Sequence, residues 1–273
     1  MCNINILIKD KKDSWNVASF MMAVTASSYS RNPDGEGLFC DSDSKSLFIK
    51  QNQKINLLNY GKLFKDGKFI ITHQRLSTSG FNQRWHHPFV NKDFVFVHNG
   101  IINRFLGKKG SDSYGFFMAF TALFNKLQTG TREERIVQSI KHLLDGLDDG
   151  SYSIAIYDRR TEKLYYCKNS MTNIHFFRFA RKLYITTLHS NSEFIPMLSK
   201  QHTELDIKDY TIYRANKKQG EPVSVYSIAN IKEPEPPKET AKEETTKQKK
   251  KTKDEVQCYD YNPFEKYSCQ ETY

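Results

Sequence analysis

Hydrophobic and polar positions alternate along much of the first 230 residues, which predicts a chain rich in β-strands. The expected strands cover residues 3–8, 46–50, 68–73, 93–98, 151–158, 163–167, 175–179, 183–188 and 210–213. Most of these runs are bounded by turn-forming residues and are rich in Ile, Val, Phe and Tyr, as half-buried strands are.

Apolar residues recur at helical spacing in three places, which predicts helices over 14–26, 113–127 and 132–144. The third helix opens with Thr131 and Glu134, the pattern of a capping box, and Gly146 and Gly150 follow its end. Many strands with few, clustered helices predict α+β layers rather than repeated βαβ units.

The composition sets the broad class of protein. The 273 residues are 38% hydrophobic and 13% aromatic, which is enough for a packed core and excludes wholesale disorder. No apolar run approaches the ~18 residues of a membrane span, and the apolar stretch at the amino terminus is too short for a signal peptide. Five cysteines without paired spacing favour a reduced, cytoplasmic protein.

A change in composition divides the chain. Residues 1–231 are expected to form one domain, whereas 232–257 are dominated by Lys, Glu, Pro and Thr and are predicted to be a disordered linker. Residues 258–273 are aromatic and are either a docking peptide or a disordered end.

The net charge of +10 invites a nucleic-acid interpretation. Residues 232–273 hold 9 Lys against 10 Asp and Glu, so the surplus lies in residues 1–231 and not in the Lys-rich tail. No zinc-finger spacing, recognition helix or RNA-binding aromatic motif accompanies the charge, and the scattered histidines form no metal-ligand pattern. We therefore expect neither a nucleic acid partner nor a metal.

Cys2 directly follows the initiator Met, and a small residue at that position permits removal of Met1. The new amino terminus would then carry a thiol and a free α-amine on one residue. The amine, with an ordinary pKa of ~7.7–8.0, can accept the thiol proton near neutral pH. Cys2 is therefore a candidate nucleophile with its own base, although a cysteine at this position also occurs by chance.

Asn99 and Gly100 follow the apolar run 94–97, where a buried strand is expected to pass into a loop. A side-chain amide beside a glycine N–H suits an oxyanion hole. The alternative is an ordinary Asn-Gly turn, which is common.

Arg75 follows the predicted strand 68–73 and suits bidentate binding of a carboxylate; the alternative is a surface ion pair. Asp112 begins a predicted helix, either as its N-cap or as a counter-charge for an ammonium group. Together, Arg75 and Asp112 would recognise the two charged ends of a free amino acid.

In chain order these segments resemble the glutaminase domain of class II glutamine amidotransferases, which are N-terminal-nucleophile hydrolases. The ordered set is Met1-Cys2, residues 31–37 (RNPDGEG), 73–75 (HQR), His87-Pro88, 98–100 (HNG) and Ser111-Asp112, with the block 149–155 (DGSYSIA) similar to a late core strand. The match spans about residues 1–200, and its ordered combination is more specific than any single motif.

The resemblance implies a four-layer αββα sandwich, with two mostly antiparallel sheets between helical layers. It also implies glutamine hydrolysis, with Cys2 as nucleophile, Asn99 and Gly100 as oxyanion hole, Arg75 on the α-carboxylate and Asp112 on the α-ammonium. Thr78 and His98 are further candidate substrate-binding residues, and Arg31, His73 and His87 are expected to order the site.

Two positions depart from the family pattern. Asn3 stands where glycine is usual, which adds a side chain beside the nucleophile, and Ser79 replaces a histidine after the arginine segment. Both changes bear on glutamine affinity and closure of the site rather than on the core set.

The sequence thus predicts a subunit that releases ammonia from glutamine through a Cys2 thioester and needs no cofactor. Only 42 residues follow position 231, so the ammonia is expected to pass to a separate synthase partner. Two alternatives stay open: a stand-alone glutaminase or γ-glutamyl amidase, and a catalytically weak glutamine-sensing or scaffold module.

Overall fold

The structure, a computed structural model, describes residues 2–9, 16–42, 45–76, 82–106, 110–145, 147, 150–179, 182–216 and 223–227. Met1, Thr78, Ser79 and the predicted linker and tail over 232–273 lie outside these ranges. Within them, no helix is long and apolar enough to cross a membrane.

Helices and strands occupy most of the described chain. The helices are α1 (Asn16–Arg31), α2 (Gly61–Asp66), α3 (Asp112–Lys126) and α4 (Arg132–Leu144). The strands are β1 (Asn3–Lys9), β2 (Gly35–Ser42), β3 (Ser46–Gln51), β4 (Gly67–Arg75), β5 (Phe89–Val90), β6 (Phe94–Ile101), β7 (Ser151–Asp158), β8 (Lys163–Lys168), β9 (His175–Phe179), β10 (Lys182–Thr186), β11 (Thr203–Leu205), β12 (Thr211–Asn216) and β13 (Val223–Ser227).

The strands form two sheets in which every pair of neighbours is antiparallel. The first sheet has the order β11-β9-β10-β1-β4-β2-β3, and the second has the order β13-β12-β8-β7-β6-β5. The strand at the amino terminus, β1, therefore lies in the middle of the first sheet.

Three apolar cores stack through the molecule. One core, with Ile4, Val97 and Tyr166 among its members, fills the space between the two sheets. A second core joins α1 and α2 to the outer face of the first sheet, and a third joins α3 and α4 to the outer face of the second sheet. This arrangement confirms the predicted four-layer αββα sandwich.

Several predicted elements have the observed bounds, including 151–158, 175–179 and the helix 132–144 with its Thr131–Glu134 capping box. The sequence prediction misses β2, which is buried along most of its length. This strand carries two glycines and a buried glutamate, and so lacks strand alternation. Its glycines admit close neighbours: a Cβ at Gly35 would lie 2.3 Å from His86 Nε2 and one at Gly37 would lie 1.6 Å from the His87 carbonyl oxygen.

Candidate active site

Cys2 and Arg75 lie side by side at one end of the first sheet. Asn3 of β1 pairs with Gln74 of β4, so the next position along the ladder places Cys2 beside Arg75. Ile4, two residues after Cys2, belongs to the core between the sheets. Because side chains alternate along a strand, Cys2 and Arg75 are on this same inner face.

The thiol of Cys2 is half-buried, and its Sγ lies 3.8 Å from the Leu76 carbonyl oxygen. Burial raises the pKa of the thiol; the positive charge of Arg75 lowers it and the negative charge of Asp112 raises it. The raised pKa means that the thiol needs a base to ionise near neutral pH.

Asn3 does not project towards the candidate nucleophile. Its side chain is on the outer face of the sheet, where Nδ2 donates to the Ser28 carbonyl oxygen of α1 at 3.2 Å. The departure from glycine at this position therefore adds a contact to the helical layer, and the expected side chain beside the thiol is absent from the inner face.

Arg75 is buried at the end of β4, and a histidine holds its guanidinium. Its Nη1 donates to His86 Nδ1 at 3.3 Å, and His86 Nε2 lies 2.7 Å from Asn52 Oδ1. Burial, together with the charges of Arg75 and Lys50, lowers the pKa of His86 to about 4, so the ring is neutral. A neutral ring that accepts at Nδ1 donates from Nε2, which satisfies both contacts.

The role of His86 was missed by sequence analysis, which treated it as one of several scattered histidines. Its partners come from distant positions, since Asn52 follows β3 and Arg75 ends β4. Its one sequence signal is its place next to the His87-Pro88 element.

Asn99 and Gly100 lie on β6, which faces β1 across the sandwich. Asn99 lies on the same face of β6 as Val95 and Val97, which belong to the core between the sheets. Its side chain is buried, and Oδ1 has no hydrogen-bond partner among the described residues. The strand does not pass into a loop after residue 98, as expected, but continues to Ile101 in register with β7.

Gly100 has a conformation that other residues rarely adopt. Its φ is +131°, and a Cβ there would lie 2.0 Å from the carbonyl oxygen of Ser151 on the paired strand. Only glycine therefore fits this position without a backbone shift. The Asn-Gly pair is part of a strand ladder and not a hairpin turn.

Asp112 is the first residue of α3 but not its N-cap, which corrects one of the two interpretations of this position. Ser111 is the cap, since its side chain accepts from the Tyr114 N–H at 3.1 Å. Asp112 instead accepts from the Ile102 N–H at 2.8 Å, which ties α3 to the segment that follows β6.

His98 supports Asp112 through a serine. His98 Nδ1 lies 2.8 Å from Ser113 Oγ, and Ser113 Oγ lies 3.4 Å from Asp112 Oδ1. Both contacts are satisfied when His98 donates to the hydroxyl and the hydroxyl donates to the carboxylate. Burial lowers the pKa of His98, and the Asp112 charge opposes that effect. The ring therefore lies on the helix-facing side of β6.

His73 and His87 are buried next to each other with ring centroids 4.2 Å apart. All four ring nitrogens lack a hydrogen-bond partner among the described residues. Burial lowers the pKa of His73 to about 3 and that of His87 well below its ordinary value. Both rings are neutral and buried, and their role in ordering the site stays a prediction. Arg31 is exposed at the last turn of α1, and its ordering role stays a prediction.

Comparisons with known proteins bear on the fold. No protein-family model matches the chain, and no curated protein matches it. Among solved structures, the chain is similar to glutamine phosphoribosylpyrophosphate (PRPP) amidotransferase from B. subtilis complexed with ADP and GMP, with a TM-score of 0.58 and 14% identity over 84% of this chain and 50% of that one. It is also similar to a structure of the allosteric regulatory enzyme of purine biosynthesis, with a TM-score of 0.57 and 16% identity over 79% of this chain and 47% of that one.

The chain therefore has the N-terminal-nucleophile hydrolase fold of these structures and spans about half their length. The resemblance to class II glutamine amidotransferases that the sequence predicts is confirmed at the level of the fold.

Proposed function

We propose that this chain is a glutamine-hydrolysing amidotransferase subunit in which Cys2 becomes the amino-terminal nucleophile after removal of Met1. The observation that carries the proposal is the position of Cys2 beside the buried Arg75 at one end of the first sheet. The charges of Arg75 and Asp112 both act on the thiol. A thiol with a fixed cation and a fixed anion beside it suits a substrate that carries both an α-carboxylate and an α-ammonium.

Glutamine fits this charge pattern. The buried guanidinium of Arg75, oriented by His86, pairs with the α-carboxylate, and Asp112 pairs with the α-ammonium. One carboxylate oxygen of Asp112 already accepts from the Ile102 N–H, which fixes the direction of the group before substrate binds. The bound amino acid then directs its side-chain amide towards Cys2.

The reaction is an acyl transfer. The free α-amine of Cys2 takes the thiol proton, and the thiolate attacks the amide carbon to form a tetrahedral oxyanion. The oxyanion accepts hydrogen bonds from the Asn99 side-chain amide and the Gly100 N–H. When it collapses, the C–N bond breaks, the α-ammonium returns the proton to the leaving nitrogen as ammonia, and a γ-glutamyl thioester remains. Water hydrolyses the thioester to glutamate and regenerates the thiol.

His98 acts as a positioning residue through Ser113 and Asp112. We assign Thr78, which lies outside the described residues, to the substrate pocket on the strength of the family resemblance alone.

The ammonia goes to a separate acceptor subunit in this proposal. The fold similarity covers only about half of each solved structure that the chain resembles. Two alternatives make different predictions about turnover. A stand-alone glutaminase would hydrolyse glutamine without a partner, and a glutamine-sensing module would bind glutamine without hydrolysing it.

The test begins with intact-mass analysis of the chain carrying only a carboxyl-terminal tag, followed by measurement of ammonia release from glutamine. We expect the mass without Met1, complete loss of activity in Cys2→Ala, and a ~100- to 1000-fold lower kcat in Asn99→Ala with an unchanged unfolding temperature. Insertion of a lysine between Met1 and Cys2 blocks Met removal and is expected to abolish turnover.

Four outcomes contradict parts of the proposal. Full activity in the lysine-insertion chain removes the α-amine as base, and full activity in Asn99→Ala removes that residue from the oxyanion hole. The sensing module is favoured if the chain binds glutamine but neither hydrolyses it nor is labelled at Cys2 by a glutamine-like electrophile. Unchanged binding of the acceptor subunit after deletion of 232–273 would exclude residues 258–273 as a docking peptide for that subunit.

A further inference from the structure

A second cluster of ionisable side chains lies on the first sheet, outside the candidate active site. His175 begins β9, and Glu204 is on β11, which pairs with β9. His189 begins the 3-10 segment His189–Met197 that follows β10. Three separate segments of the chain thus bring two imidazoles and one carboxylate to a single place.

The distances within the cluster suit one bound ion. His175 Nδ1 lies 2.9 Å from Glu204 Oε1, and His189 Nε2 lies 3.5 Å from Glu204 Oε2. The ligand atoms of the three residues all lie within 4.8 Å of one another. Ligands at ~2.0–2.1 Å from a tetrahedral zinc ion are separated by about 3.3 Å. The three side chains therefore need only small rotations to share an ion.

We propose that His175, His189 and Glu204 form a zinc-binding site with three protein ligands and one position open to water. Imidazole nitrogens favour zinc over magnesium and calcium, which prefer oxygen ligands. The side chains are 23%, 61% and 46% exposed, respectively, so an ion can enter from solvent and keep a water. The ring of Phe177 packs against both histidines, with centroids 6.4 Å and 6.2 Å away, and limits their movement.

The site is connected to the backbone of the candidate nucleophile. Thr187, two residues before His189, accepts from the Ile4 N–H through its Oγ1 at 3.0 Å and donates to the Cys2 carbonyl oxygen at 3.4 Å. The Thr187 N–H also donates to the Ile4 carbonyl oxygen at 3.1 Å. An ion that holds His189 to β9 and β11 therefore also fixes the segment to which the start of β1 is bound.

The experiment uses the full chain with Cys2, Cys258 and Cys269 changed to serine, because these thiols would themselves bind zinc; Cys40 and Cys167 are buried. Chelator-treated protein is titrated with zinc chloride by calorimetry, with magnesium chloride as the comparison. We expect one zinc per chain, no competition by magnesium, and a rise in unfolding temperature on zinc addition. Each of His189→Ala and Glu204→Gln is expected to weaken zinc binding at least ~10-fold.

His202→Ala is the matched control, since this exposed histidine also contacts Phe177 but is not one of the three ligands. It is expected to bind zinc like the parent chain. The proposal is overturned if the parent chain binds no zinc, or if both ligand variants bind zinc as tightly as the parent does. The cluster is then a plain ion pair. Glu204→Gln keeps the side-chain shape, so it remains informative if His189→Ala unfolds. The readout is independent of glutamine turnover, so failure of this site is distinguishable from failure of the proposed function.

Discussion

Arg75 donates from Nη1 to His86 Nδ1 at 3.3 Å, so a neutral imidazole holds the guanidinium at the end of β4. An acceptor of this kind orients the fork of the arginine without cancelling its charge, whereas a carboxylate in the same place would compete with a substrate carboxylate. Asn52 fixes the other ring nitrogen of His86 at 2.7 Å. In the proposed function, this contact orients Arg75 for the α-carboxylate of the substrate.

The first prediction concerns this pair. His86→Ala removes one hydrogen-bond partner that orients the guanidinium. We therefore expect the KM for glutamine to rise ~10-fold or more while kcat changes little, since a hydrogen bond to a charged group is worth ~1.5–3 kcal/mol. Steady-state kinetics of ammonia release provide the measurement. His142→Ala, an exposed histidine on α4, is the control and should behave like the parent. A KM within twofold of the parent in His86→Ala would show that the imidazole does not orient the substrate site.

The second prediction concerns Gly100. Gly100→Ala forces a Cβ against the Ser151 carbonyl oxygen at a φ of +131°, so the N–H proposed for the oxyanion hole must move. We expect a loss of ~1–3 kcal/mol in stability together with a fall of at least ~100-fold in kcat.

Gly130→Ala is the matched control for that variant. Gly130 also has a positive φ, +85°, but the nearest atom to its Cβ is Glu134 Oε2 at 3.1 Å, next to the N-terminus of α4. Gly130→Ala should lose stability and keep its kcat. If both variants lose only stability, Gly100 has a conformational role alone and the oxyanion assignment is wrong.

Sequence motifs named candidate site residues at the ends of predicted elements, and they missed a hydrogen-bonded contact that depends on distant segments. Cys2, Arg75 and Asp112 stand at element ends that periodicity predicts within a few residues. The only local signal at His86 is its place next to His87-Pro88, because its hydrogen bonds are to Asn52 and Arg75, which come from distant segments. Sequence analysis missed strand β2 for the same reason.

Glu36 illustrates the physical reason. A carboxylate flanked by glycines does not look like a central strand, yet it is buried there because Gln74 Nε2 donates to it at 3.0 Å and the Ile55 N–H donates to its other oxygen. Gln74 and Ile55 reach Glu36 only in the folded chain, so the pattern of residues around Glu36 does not reveal them.

The third prediction concerns Asn3. Since its amide faces α1 and bonds Ser28, Asn3→Gly removes a buried hydrogen bond and adds a flexible residue to β1, which we expect to cost ~1–2 kcal/mol of stability. Its side chain is on the face away from the thiol, so the KM for glutamine should stay within about threefold. Denaturant unfolding and steady-state kinetics measure the two effects. A large fall in KM would mean that Asn3 does obstruct the substrate.

The fourth prediction is a loss of stability in acid caused by buried histidines. His73 has a folded pKa of about 3 and His86 of about 4, both below the ordinary value of ~6.5, because burial disfavours the charged ring. Above pH ~6.5 both states are neutral and the groups have no effect. As the pH falls from ~6.5 towards 4, the unfolded chain binds protons that the folded chain does not, so each group lowers the free energy of unfolding by ~1.4 kcal/mol per pH unit.

Glu36 acts in the opposite direction, and the experiment has to separate the two. Burial raises its pKa to about 7, so between pH ~4.5 and 7 the folded chain holds a proton that the unfolded chain has lost, and acid stabilises it. Urea unfolding at pH 7.5, 6.0 and 4.5 measures the balance, which we expect to favour destabilisation because His87 and His98 are also shifted downwards. His73→Phe removes one buried ring whose pKa is lowered, so its free energy of unfolding should fall by ~1.4 kcal/mol less per pH unit than that of the parent. An identical slope in His73→Phe would show that His73 takes up its proton as readily in the folded chain as in the unfolded one.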